Sequence, residues 1–77
     1  MRVQVEFHSG QKADERPRRF SIEGRQYEVQ DVVDQWFEPE STYFKVLAGD
    51  GNLYILRQDT STPDGAWELI SYRKNTR

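Results

Sequence analysis

Apolar and polar residues alternate along most of the chain, which is the pattern of strands that turn one face to a core. Val3, Val5 and Phe7 alternate with Gln4, Glu6 and His8. Ser9 to Arg18 then holds no large apolar residue and one proline, and reads as a long exposed connection. Phe20 and Ile22 resume the period, Gly24-Arg25 offers a two-residue type II′ turn, and Tyr27 and Val29 continue beyond it, so Arg19 to Gln30 is a predicted hairpin. Farther on, Thr42, Phe44, Val46 and Ala48 alternate with Tyr43, Lys45 and Leu47. Gly49-Asp50-Gly51-Asn52 supplies residues that tolerate positive φ, and Leu53 to Arg57 follows as the return strand of a second hairpin. Asp59 to Gly65 is a polar loop, Ala66 to Tyr72 a last strand, and Arg73 to Arg77 a basic tail expected to fray.

The stretch Val29 to Phe37 fits two descriptions. Apolar residues at 29, 32, 33, 36 and 37 match the spacing of one helix face. Val, Trp and Phe prefer strands, however, no capping residue precedes Val29, and Pro39 leaves little room for a helix. A strand with a bulge also moves apolar residues from one face to the other. These residue types favour the bent strand, with a short helix over 29–37 as the alternative. The whole reads as about six short antiparallel strands, an all-β small barrel or roll of SH3-like or OB-like type, because closure removes exposed edges. With the helix it becomes α+β. Residues 1–72 form a single small β domain and 73–77 the tail.

Composition narrows this further. The 77 residues are 35% apolar and 31% charged, with no Cys and one His, enough for one modest core and no disulfide framework. Apolar runs are far too short for a membrane span, and the N-terminus alternates where a signal peptide would be continuously apolar, so the expected compartment is the cytoplasm. Eleven Lys and Arg against 13 Asp and Glu leave a net charge of -2, so any polyanion site must be a local patch.

Four short strings, Arg16-Pro17-Arg18-Arg19-Phe20, Gly24-Arg25-x-Tyr27-x-Val29, Val33-x-x-Trp36 and Trp67-Glu68-Leu69, resemble a family of small uncharacterised bacterial proteins built around a domain of unknown function. The resemblance implies a small bacterial cytoplasmic protein of one domain. It brings no activity, cofactor or catalytic residue to carry over.

Most catalytic chemistry is closed by residue type. There is no thiol, and a Ser-His-Asp site would need His8 with Ser9, Ser21, Ser41, Ser61 or Ser71, none of which lies in a Gly-x-Ser-x-Gly turn. Asp31 with Asp34, or Glu38 with Glu40, reads as a solvated acidic face that pairs with the arginine cluster of the first hairpin. Zinc needs Cys or several His, and Asp50-Gly51-Asn52 lacks the downstream acids of a calcium loop, so no metal and no cofactor are expected. The chain is expected to be non-enzymatic.

Binding fits the residues better. The aromatics are 13% of the chain, and Trp36, Phe37, Tyr43, Phe44, Tyr54, Trp67 and Tyr72 exceed what one thin barrel encloses. Surface aromatics suit a protein partner or self-association, and Trp36, Tyr43, Tyr54 and Trp67 are the candidate contact residues. The alternative is weak binding of single-stranded nucleic acid through the Arg16–Arg25 hairpin. There Arg16, Arg18, Arg19 and Arg25 would meet phosphates, and Phe20 or Tyr27 would stack on bases.

Overall fold

The computed structural model describes residues 2–7, 17–62 and 65–74. These form β1 (Arg2–Phe7), β2 (Pro17–Ile22), β3 (Arg25–Glu38), β4 (Ser41–Ala48), β5 (Leu53–Asp59) and β6 (Trp67–Arg73). The strands pair antiparallel in chain order, and β6 returns to β1 to close a barrel. The chain is therefore an all-β meander, with no helix among the described residues and hence none long and apolar enough to cross a membrane. Arg73, the first residue of the expected tail, pairs with Leu53 as the last residue of β6. Residues 75–77 lie outside the description.

The short helix weighed over 29–37 does not form, and the reason is visible in the register. Val29 pairs with Ala48 and Asp31 with Leu47, so Gln30 is an extra residue; Val32 pairs with Val46 and Asp34 with Lys45, so Val33 is another. Each bulge moves the following side chains by one position, which lets residues three apart share a face within an extended strand. Val29 and Val32 both pack on the core through this device. The first four residues of β3 pair with β2 and the rest with β4, so the bulged region is where the strand changes partners.

The first turn also differs from expectation. Ile22 pairs with Arg25, so the turn residues are Glu23 and Gly24 and not Gly24 and Arg25. Both have positive φ, 51° and 84°, the signature of a type I′ turn in place of II′. The second hairpin closes through Gly51 N–H donating to Ala48 O at 2.9 Å and Ala48 N–H donating to Asn52 O at 3.0 Å. Gly51, at φ 87°, takes the left-handed position that ends such a three-residue connection. Between β3 and β4 the turn is Pro39-Glu40, where the ring of Pro39 presets the φ required.

The core is Val3, Phe20, Phe44, Val46, Ala48, Tyr54, Leu56 and Trp67. Phe44, Val46 and Ala48 alternate along β4 and meet Tyr54 and Leu56 across the ladder, as the period of two requires. Phe20, Leu56 and Val46 are the largest fully enclosed side chains, each contributing roughly 1.5–3 kcal/mol by leaving water.

Candidate functional site

The residues expected to contact a protein partner divide between two places. Trp36 and Tyr43 face each other across β3 and β4 and stack with ring centroids 5.3 Å apart and planes 2° from parallel. Tyr54 and Trp67 are corrections to the surface reading, because both are core residues. Tyr54 is 3% exposed, and Trp67 packs on Phe44 at 5.4 Å, so neither has a free ring face on the barrel's outer wall. Their positions follow from register, since Tyr54 pairs with core Val46, and Trp67 with core Val3.

From Asp31 to Glu38 one edge of β3 is bonded to β4, and among the described residues no strand lies on the other. This stretch carries Val33 at 50% exposure and Phe37 at 72%. Phe37 was among the aromatics too numerous for the core. Asp31, Asp34, Glu38 and the following Glu40 are exposed on this stretch, with Lys45 opposite Asp34.

Among the described residues, the nucleic-acid set does not assemble into one basic surface. Arg16 lies outside the described residues, as do His8, Ser9 and the other residues of that connection. Arg18 is exposed at an irregularity where the register passes from Glu6↔Arg19 to Phe7↔Pro17. Arg19 is bound on both sides, donating to Glu6 at 2.9 Å and to Glu28 at 3.0 Å. These partners of Arg19 are carboxylates of β1 and of the start of β3, and not of the acidic run from Asp31 onward. Phe20, 1% exposed, is a core residue and cannot stack on a base. Tyr27 is half-buried, with its ring 5.2 Å from that of Phe20. Arg25 lies apart, at the lip of a cleft at the end of the barrel where β2 turns into β3.

That cleft, of about 760 Å³, is lined among others by Arg25, Tyr27, Asp50, Asn52, Tyr54 and Tyr72. Tyr54 lies between the two other tyrosines, 5.3 Å from Tyr27 and 5.1 Å from Tyr72, tilted by 53° and 47° respectively. Its hydroxyl donates to Asp50 Oδ2 at 2.7 Å. The Asn52 backbone donates to Asp50 Oδ1 at 3.0 Å, and its side-chain amide to Oδ2 at 3.2 Å. Burial works against the charge on Asp50, but these bonds from Tyr54 and Asn52 outweigh it and hold the carboxyl below the usual range. Burial first, and the Asp50 carboxylate second, push the Tyr54 hydroxyl well above the ordinary tyrosine value.

Asp50, Asn52 and Tyr72 were not expected as site residues. The polar turn and the tyrosines were both legible, but their meeting depends on β5 lying between β4 and β6. Among the described residues no cluster of three or more His, Cys, Asp or Glu is placed to hold a metal ion. No protein-family model, curated protein or solved structure matches the chain.

Proposed function

We propose that the protein is a non-enzymatic binding module of the bacterial cytoplasm that captures an extended, basic segment of a protein partner along β3. The observation that carries this reading is the edge from Asp31 to Glu38 that no strand pairs among the described residues, with Phe37 and Val33 exposed on the same stretch. A strand added there gains main-chain hydrogen bonds, while its alternate side chains meet the exposed apolar groups. The stacked Trp36–Tyr43 pair offers a rigid aromatic face beside the edge, of the kind that concentrates binding energy. Charge selects the partner: the three carboxylates of residues 31–38, with Glu40 just beyond them and Lys45 as the cation opposite Asp34, favour Lys or Arg and oppose an acidic segment.

The test is an amide NMR titration with two synthetic peptides of equal length, one alternating Lys with Val and the other Glu with Val. The Lys-Val peptide should shift the amides of residues 31–38, and Phe37→Ala should weaken its binding about tenfold, as expected for loss of an aromatic anchor. Equal response to both peptides, or no response along β3, overturns the reading. Single-stranded RNA serves as the rival ligand in the same experiment. Shifts confined to Arg18 and Arg25 that vanish at high salt favour the nucleic-acid alternative instead.

A further inference from the structure

The tyrosine cleft lies apart from the β3 edge, and its chemistry is different. Tyr54, almost fully buried, lies at its base, and Tyr27 and Tyr72 rise on either side, with Tyr72 51% exposed. The rings of Tyr27 and Tyr72, the accessible ones, are each tilted against the buried Tyr54 ring between them, so the aromatic surface is a concave trough and not a flat slot. A planar base or guanidinium stacks best between parallel faces, whereas a rounded group touches several inclined ones.

Electrostatics points the same way. Asp50 accepts three hydrogen bonds, all from the neutral groups of Tyr54 and Asn52, so its charge is fixed in place without being cancelled. The second carboxylate of the lining, Glu28, is already matched by Arg19. A phenol that donates to a carboxylate is also richer in electrons over its ring, which strengthens its attraction for a cation. Lysine ammonium holds its water strongly and would lose it on entering a mostly apolar trough, while a methylated ammonium is larger, rounder and less hydrated.

We propose that the cleft formed by Tyr27, Tyr54 and Tyr72 beside Asp50 binds a quaternary or methylated ammonium group. Tyr27 and Tyr72 supply the walls, Tyr54 the base on which they rest, and Asp50, bonded to the Tyr54 hydroxyl, the negative charge at the rim. Asn52 bridges the parts, donating to Asp50 and, at 3.3 Å, to the Tyr72 hydroxyl. Arg25 at the lip opposes the ligand's charge and so limits affinity.

The experiment is an amide NMR titration of the full chain with choline, with 3,3-dimethylbutan-1-ol, which has the same shape without the charge, and with AMP. Choline should shift Tyr27, Asp50, Asn52, Tyr54 and Tyr72, and the neutral alcohol should bind at least about tenfold more weakly. Tyr72→Ala should cost about tenfold in choline affinity while Tyr72→Phe, which keeps the ring face, retains it. Arg25→Gln should tighten choline binding, since it removes a like charge. Tyr72 and Arg25 are both exposed, and each variant's spectrum reports directly that the barrel is intact. Equal binding of the neutral alcohol overturns the proposal in favour of a merely apolar groove. AMP binding that Arg25→Gln weakens, with choline silent, assigns the cleft to nucleotides. Absence of any shift at about 50 mM choline, a concentration that detects even very weak complexes, overturns it outright. None of these outcomes depends on the β3 edge.

Discussion

The Asp50 carboxylate is bonded by Tyr54 and Asn52 in the folded chain and by water alone in the unfolded one, so its protonation is tied to folding. Its folded value lies below its unfolded value. The stabilisation is therefore present above the ordinary aspartate range of about 3.9 and is lost as pH falls through the folded value. Asp50→Asn should thus lower the melting temperature most at about pH 6, with the gap to the unaltered protein closing toward about pH 2. Thermal melts followed by circular dichroism across that range check this, and a gap independent of pH would show that the charge contributes nothing. Asp59 is held low in the same manner, first by the Ser61 hydroxyl and then by its backbone amide. Residue-level chemistry of this kind was only half readable from the sequence. Gly49-Asp50-Gly51-Asn52 announces a turn, but nothing in the linear order says that a tyrosine four residues on will bend back to the aspartate.

Strands and turns were legible to the extent that local pattern decides them. The two hairpins were read correctly in outline because alternation and glycine placement are local properties. The first turn was misplaced by one residue because Gly24 was given the first turn position, where it serves as the second. That arrangement leaves Glu23 at φ 51°, a conformation that side chains other than Asn or Asp adopt reluctantly. Glu23→Asn, which builds the favoured Asn-Gly pair, should stabilise the protein by about 0.5–1 kcal/mol, read as a higher urea midpoint with an unchanged slope. The β3 ambiguity has a deeper cause. Two bulges placed three residues apart reproduce in one dimension the spacing of a helix face, and only β-branched and aromatic side chains and Pro39 broke the tie.

At the scale of the molecule, closure decides which aromatics are hidden. Counting them against a small core anticipated that some would be left outside, and Phe37 and Tyr72 are. It could not say which, because Tyr54 and Trp67 are buried by partners that lie in other parts of the chain. The barrel's seams are also unequal. Five of them join strands consecutive in the sequence, while among the described residues β1 and β6 meet through just the pairs Arg2↔Glu68 and Val3↔Trp67. This gives the folding reaction an order. Neighbouring strands can pair while the chain is still short in effective span, and the costly step of bringing its distant parts together is left to one brief seam. Contacts made after the barrier do not set the folding rate. Val3→Ala should accordingly speed unfolding about tenfold and leave refolding nearly unchanged in stopped-flow measurements. Slower refolding would place closure at the barrier instead. The lifetime of the native state then rests on a different part of the molecule from the speed of its formation: the meander governs how fast the barrel appears, and the seam between β1 and β6 how long it lasts.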